Sequence, residues 1–255
     1  MSLATGYVSP SQVARRVTEH WADQNLYCLA CPSPHLQPAP VNTAVLDFRC
    51  PRCHAEYQLK SKSGPFGRKV QNSAYGVKLR AIEQGDVPNY VFLQYSRVNW
   101  LVREVFVLPG HFVTPAVIEP RKALGPQARR SGWVGSNILL HALPVHARVA
   151  MTEGDRVYAP GLVRQRWRRF AFLGQDVRAR GGWGADVLDC LRKLQAETGM
   201  EEFSLQAFYD RFERTLAARH PANRHVRDKI RQQLQVLRDG GVIRFVGRGR
   251  YRIVA

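Results

Sequence analysis

The sequence predicts a mixed α/β core built around a zinc knuckle and followed by a C-terminal winged helix, and three observations carry that reading. Four of the five cysteines form two C-x2-C pairs, Cys28/Cys31 and Cys50/Cys53, with 18 residues between the pairs. Strand-like apolar runs are interleaved with amphipathic helical stretches up to about residue 180. The remainder holds three helical stretches and a glycine-punctuated hairpin.

The first helix is expected over 9–25: Ser9 or Ser11 caps it, Pro10 suits its first turn, and Val13, Val17 and Trp21 recur every four residues. It leads directly into the first cysteine pair. After a loop rich in proline (Pro32, Pro34, Pro38, Pro40), a strand is expected over 41–48, the second cysteine pair forms a turn, and 55–62 returns as the hairpin partner. A helix over 73–83 precedes strands at 90–96 and 102–108. From 109 to 160 the chain is irregular and rich in Pro and Gly, with short strands at 137–140 and 147–151. A basic helix over 162–173 carries Arg164, Arg166, Arg168 and Arg169, and 177–182 is the expected hinge. The domains are therefore 1–180 and 181–255.

In the second domain, helices are expected over 183–198, 204–219 and 223–238, then a hairpin whose tip is Gly247-Arg248-Gly249-Arg250. Cys190 sits alone on an apolar helical face with Val187, Leu188, Leu191 and Leu194, which is core packing. On the third helix Val226, Ile230, Leu234 and Leu237 form the buried stripe and leave Arg224, Arg227, Arg231, Gln235 and Arg238 largely outside. A helix-turn-helix lays such a helix in the major groove, where arginine reads guanine and glutamine reads adenine; Arg231, Gln232 and Gln235 are the candidate base readers, with Arg248 and Arg250 on the wing. The competing use of this helix is phosphate contact or a protein interface.

Composition agrees with a polyanion partner. Thirty-eight Lys and Arg against 20 Asp and Glu give a net charge of +18. Arginine predominates, and its planar fork suits phosphate and guanine edges. At 255 residues and 45% hydrophobic content the chain can fill two domains. No run approaches the ~18 apolar residues of a membrane span. The start, Met1-Ser2-Leu3-Ala4-Thr5-Gly6, has no basic stretch leading into an apolar one. A soluble, cytoplasmic protein, monomeric in solution, is expected.

Two C-x2-C pairs at this spacing match a closed tetrahedral zinc site, so Cys28, Cys31, Cys50 and Cys53 are the expected structural zinc ligands. A closed shell leaves no position for water, and hydrolysis would need a second metal. The second pair lies between Asp47 and the stretch Glu56-Tyr57-Gln58-Leu59-Lys60. Alternation on a strand puts Glu56, Gln58 and Lys60 on one face, where a sharp knuckle can bring them to Asp47. Mg²⁺ wants oxygen ligands, which the Asp47 carboxylate, the Gln58 side-chain oxygen and the Leu59 carbonyl can supply; Lys60 can orient or deprotonate water. Taken alone, this spacing is also that of a surface lysine and an edge aspartate with no joint role.

These residues resemble the PD-(D/E)-x-K nucleases, and nearly the whole chain is similar to the DpnI-like, adenine-methylation-dependent restriction endonucleases. The resemblance rests on Thr18-Glu19-His20-Trp21, Asp47-Phe48-x-Cys50-x-x-Cys53 and Leu59-Lys60-Ser61-Lys62-x-Gly64-x-Phe66. It continues through Phe112-Val113-Thr114-Pro115, Ala128-Arg129-Arg130-x-Gly132-Trp133-x-Gly135, Lys229-Ile230-Arg231-Gln232-Gln233-Leu234-Gln235 and Gly247-Arg248-Gly249-x-Tyr251-Arg252. It implies Mg²⁺-dependent cleavage of double-stranded DNA at 5′-GATC sites with N6-methylated adenine, by a zinc-containing nuclease domain followed by a winged helix. Asp47, Gln58 and Lys60 then become the catalytic set, with Gln58 where the family pattern has Glu. An amide oxygen brings no charge, so the resemblance implies a greater demand for Mg²⁺, use of Mn²⁺, or help from Glu56 or Glu19. Leu46 also replaces the proline of the pattern.

An N6-methyl group adds apolar surface in the major groove. Trp133, flanked by glycines and by the phosphate-binding candidates Arg129 and Arg130, is the expected wall for it; the alternative is a tryptophan packed in the nuclease core. The rival to a methyl-directed nuclease is a non-cleaving reader of methylated DNA in which Gln58 marks lost catalysis. A third reading is a repair or structure-specific nuclease indifferent to methylation.

Overall fold

The computed structural model describes Gly6, residues 9–40, Thr43, 46–144 and 147–254. In chain order its elements are α1 (Pro10–Asn25), β1 (Gln37–Pro38), β2 (Phe48–Arg49), β3 (Glu56–Ser63), β4 (Lys69–Ala74), α2 (Tyr75–Gln84), β5 (Asn89–Tyr95), β6 (Val102–Leu108), β7 (Ile118–Pro120), β8 (Gly135–Leu139), β9 (Val149–Glu153) and β10 (Arg156–Val157). There follow α3 (Pro160–Arg168), α4 (Phe172–Gln175), α5 (Trp183–Thr198), β11 (Glu202–Ser204), α6 (Leu205–Arg219), α7 (Val226–Asp239), β12 (Ile243–Gly247) and β13 (Arg250–Ile253). No helix among the described residues is long and apolar enough to cross a membrane.

The chain forms two compact units, each discontinuous in sequence. The first takes Met1–Arg68, Pro88–Gly110 and Val145–Arg169; the second takes Lys69–Val87, His111–Pro144 and Phe170–Ala255. The hinge expected at 177–182 is a 3-10 segment, Val177–Gly182, broken at Arg180 and Gly181. By contact, 69–87 and 111–144 group with the C-terminal helices, a pairing between distant segments that no local pattern announces.

The first unit is a seven-stranded sheet in the order β1-β2-β3-β5-β6-β9-β10, with β3 and β5 parallel and every other neighbour antiparallel. Its centre is β5, whose Tyr90, Val91, Phe92 and Leu93 are all at most 1% exposed. A strand covered on both faces reads as a continuous apolar run, and this one does. Phe92 stacks on Phe106 of β6 at 4.7 Å, and the Phe66 ring closes edge-on against both. Of the strand expected over 41–48, residues 41, 42, 44 and 45 lie outside the described residues; β2 itself covers only Phe48–Arg49. The helix expected over 162–173 is two helices, α3 and α4.

α1 begins behind Ser9 with Pro10 in its first turn, as expected. Its buried face, however, is Thr18 and Ala22, with Val13, Val17 and Trp21 only half-buried beside it. Thr18 Oγ1 donates to the Ala14 carbonyl and lies 3.0 Å from Ser61 Oγ on β3. A polar contact across the helix–strand seam thus sets a rotation that apolar periodicity missed.

The second unit contains the sheet β4-β8-β7 and the winged helix: α5, α6 and α7 with the sheet β11-β13-β12. The unforeseen strand β4 reads Lys-Val-Gln-Asn-Ser-Ala, too polar to show an apolar run. Buried Asp186 of α5 accepts from Arg219 Nη1 at 2.9 Å, meets His220 Nε2 at 2.8 Å and accepts from Thr114 Oγ1 at 3.4 Å, while Trp183 stacks on His220. The charge is buried but paired, the condition under which it is tolerated.

α5 lies between two glycines in left-handed conformation, Gly182 (φ +84°) and Gly199 (φ +65°). A Cβ on Gly182 would lie 2.7 Å from the Thr114 side chain, whereas Gly199 faces open space. Both alanine variants should lose about 1–2 kcal/mol to backbone strain, and Gly182→Ala should lose about 1 kcal/mol or more beyond Gly199→Ala from overpacking. Urea unfolding of the two variants checks this; equal losses would contradict the close approach.

Candidate active site and cysteine metal centre

The cysteine centre joins two turns. Cys28 and Cys31 follow the end of α1, in a loop closed by Cys28 N–H to the Ser33 carbonyl and Leu36 N–H to the Leu26 carbonyl. Cys50 and Cys53 occupy the turn between β2 and β3, held by Cys50 N–H to the Ala55 carbonyl and by His54 in left-handed backbone conformation. All four sulfurs lie within 4.8 Å of one another, with Cys28–Cys53 and Cys31–Cys50 each at 3.5 Å. Four thiolates about 2.3 Å from one zinc would stand about 3.8 Å apart, so the cluster fits a structural zinc. The Arg52 and Ser33 amides point N–H groups at Cys50 and Cys31 sulfur.

Two residues brace this centre. The Tyr57 ring of β3 is wholly buried, and its hydroxyl accepts from Leu29 N–H and lies 3.4 Å from Cys28 Sγ. Arg164 of α3 donates to the carbonyls of Cys28 and Ser33, both at 2.9 Å, and lies over Tyr27. Sequence reasoning placed Arg164 in a generic basic helix, and only its partners reveal this clamp.

β2 and β3 pair as Phe48↔Tyr57 and Arg49↔Glu56. One residue before β2, Asp47 N–H donates to the Tyr57 carbonyl, and its carboxylate Oδ2 accepts from Leu59 N–H at 2.8 Å. That amide lies between Gln58 and Lys60, so the structure brings Asp47 to the part of β3 expected from the spacing. Burial raises the Asp47 pKa and Glu19 adds to the rise, against the pull of the Leu59 amide, Lys60 and Arg15. Burial lowers the Lys60 pKa, opposed by Asp47; its Nζ lies 5.9 Å from the Tyr90 ring centre. In both groups desolvation outweighs mutual attraction. The side-chain oxygen of Gln58 is buried without a hydrogen-bond partner, an arrangement that an oxygen-seeking cation would satisfy.

The two acids considered as helpers differ. Glu56 is held by Arg49 Nη2 at 2.5 Å on the surface, whereas Glu19 of α1, paired with Arg15 at 2.6 Å, acts on Asp47. Near this end of α1 and β3 a cavity of about 510 Å³ is lined by Ser9, Arg15, Ser61, Lys62, Tyr95 and Arg97 among others.

Trp133 lies in the second unit. Its half-buried ring covers Gly135, where a Cβ would approach it to 2.8 Å, and the strand ends are tied by Arg121 N–H to Gly135 and Leu124 N–H to Trp133 carbonyls. Arg129 and Arg130 are exposed in the same loop. On α7, Ile230, Leu234 and Leu237 are buried as expected, with Gln233 and Val236, while Val226 is half-buried. Arg224 and Gln235 are exposed. Arg227 binds Glu213 and overlies Tyr209, and Arg231 reaches the Tyr209 hydroxyl and Asp228. The amide oxygen of Gln232 accepts from Lys229 at 2.6 Å. Arg248 is exposed at the wing tip and Arg250 pairs with Glu202 at 3.2 Å.

Residues 1–176 match the family described as DpnI, the Dam-replacing family, and residues 179–253 match its Dam-replacing HTH domain. The second match identifies α5–β13 as a helix-turn-helix domain.

The folded pKa of Asp47 lies above its unfolded value, so folding favours its protonated form and the contribution of this group to stability falls as pH rises through the carboxylate range. Asp47→Asn keeps an oxygen for the Leu59 amide and removes the charge. Without added Mg²⁺ it should melt a few degrees above the wild type near about pH 7 and no higher near about pH 3. Thermal unfolding at both pH values checks this; a variant less stable at neutral pH would contradict the buried-charge account.

Proposed function

Because the chain belongs to DpnI, the Dam-replacing family, we propose that it is a type II methyl-directed restriction endonuclease that cuts double-stranded DNA at 5′-GATC sites carrying N6-methyladenine. The observation that carries the reading is the joint placement of Asp47, the unpartnered Gln58 oxygen and Lys60 on the β2–β3 junction.

Asp47, Gln58 and the Leu59 carbonyl would hold Mg²⁺ through oxygen alone, with Mn²⁺ as the substitute. Bound there, the ion supplies Lewis-acid stabilisation of charge developing on the phosphate. Lys60, its ammonium form disfavoured by burial, accepts a proton from a water molecule as that water attacks phosphorus. The phosphorus–O3′ bond breaks, the phosphate stays on the 5′ end, and the departing 3′ oxygen takes a proton from solvent. Gln58 removes one negative charge from the family pattern, and Glu19, whose charge acts on Asp47, would be the acid to make up the loss. The basic cavity bearing Arg15, Lys62 and Arg97 offers contacts for neighbouring phosphates.

Specificity is assigned to the second unit. Trp133 supplies an apolar wall for the adenine methyl, Arg129 and Arg130 hold phosphates, and exposed Arg224, Arg227, Arg231 and Gln235 of the recognition-helix region face the duplex, with Arg248 and Arg250 on the wing. Gln232 reads a base only if it releases Lys229. We keep the division at residue 180 as one of function, nuclease before it and winged helix after it, in a monomeric cytoplasmic enzyme. Gln58 also favours a second reading, a reader of methylated DNA that does not cut.

One plasmid in adenine-methylated and unmethylated forms, titrated with Mg²⁺ and Mn²⁺, separates the readings. Fragments should arise from the methylated form alone. Lys60→Ala should bind it normally and cut at least about 100-fold more slowly. Trp133→Ala should reduce the methylated-to-unmethylated preference by roughly fourfold, the value of one buried methyl-sized group. Selective binding without cutting at any metal concentration would establish the reader instead.

A further inference from the structure

The wing carries hydrocarbon where a soluble edge strand would carry charge. On β12, Phe245 is 54% exposed and Val246 39% exposed. Phe203, Tyr251 and Phe245 are direct cross-strand partners in the β11-β13-β12 sheet, so their side chains stand in a row on one face. Phe203 is buried and its ring stacks on Tyr251 at 5.5 Å; Tyr251 is half-buried and meets Phe245 edge-on at 5.9 Å. The row climbs from the core to solvent and ends on Phe245. Core packing accounts for its first member, which also contacts Phe208 of α6. It does not account for the last.

Positive charge surrounds the strip. Arg244 and Arg248 are exposed, Arg250 is exposed while pairing with Glu202, and Glu202 is also engaged by Arg252. A protein partner that matched this surface would need acidic groups around an apolar centre. A duplex offers the same combination in one rigid object: phosphates along each groove, and sugar and methyl hydrocarbon between them. Aromatic groups beside arginines on a β-ribbon can contact base edges or enter between base steps.

We propose that Phe245, with exposed Val246 beside it on β12, is an apolar DNA contact that anchors the wing in a groove of the duplex, the neighbouring arginines holding phosphates. This rests on the reading of the chain as a protein that binds methylated DNA. The strip supplies binding that does not depend on counterion release, unlike the arginines. Its hold on Tyr251 gives Phe245 a fixed presentation, so little side-chain freedom is lost on contact.

The test is equilibrium binding of the full chain to a 5′-GATC duplex, methylated or not, across a salt series, for the wild type, Phe245→Ala, Val246→Ser and Arg248→Ala. Phe245→Ala should weaken binding about tenfold at every salt concentration and leave the salt slope unchanged. Val246→Ser should weaken it less, with the same slope, while Arg248→Ala should reduce the slope by about one phosphate contact. Phe245→Leu should recover most of the loss, and thermal melts of the strip variants should match the wild type. A larger Phe245→Ala loss on methylated DNA would identify the N6-methyl as the hydrocarbon touched; an equal loss would identify sugar or thymine. Wild-type affinity in both Phe245→Ala and Val246→Ser, with methylated DNA still bound, would overturn the proposal alone. Failure of the wild type to bind methylated DNA would overturn the underlying reading with it.

Discussion

The β2–β3 junction depends on the cysteine centre. β2 contributes only two residues to the sheet, too few to fix register by strand pairing alone. Four sulfurs within 4.8 Å can do what the strand cannot, because a tetrahedral ion held by them would fix the turn that joins β2 to β3 and tie it to the end of α1. In the proposed nuclease this register sets the active site. A slip by one residue would move the Asp47 carboxylate off the Leu59 amide and turn it from Gln58 and Lys60. Tyr57 of β3 and Arg164 of α3 hold the Cys28–Ser33 loop on the other side of the same centre, so the centre is braced from two further elements.

The second constraint is electrostatic. Burial raises the pKa of Asp47 and lowers that of Lys60, so the site opposes charge on both groups. Such strain is stored where reactivity is needed and offset by packing elsewhere. Gln58 fits this pattern: a third carboxylate beside Asp47 and Glu19 would add like-charge repulsion to a desolvated site, and an amide avoids it. The corresponding loss is affinity for a divalent cation, which follows ligand charge. In the proposed nuclease, glutamine at this position would trade metal affinity for stability of the metal-free site.

What was legible in the sequence was what local spacing encodes. The C-x2-C pairs, the alternation that sets Gln58 and Lys60 on one face, the buried stripe of α7 and the wing glycines all depend on residues a few positions apart. The rotation of α1 depends instead on Thr18 meeting Ser61, and the role of Arg164 on carbonyls more than 130 residues away. β4 escaped notice because an edge strand beside β8 needs no apolar run. Trp133, the expected wall for the methyl, is half-buried on Gly135, a position that depends on hairpin geometry rather than hydrophobicity. Phe245 was overlooked because an aromatic in a strand reads as core until its neighbours show otherwise.

Zinc K-edge X-ray absorption on the purified full chain, read together with metal content and cleavage of methylated DNA, tests the central dependence most directly. One zinc per chain in a shell of four sulfurs at about 2.3 Å, with cleavage lost as that zinc is stripped and regained on its return, is the predicted result. A zinc-free chain that keeps its fold and cuts at the wild-type rate would contradict the account.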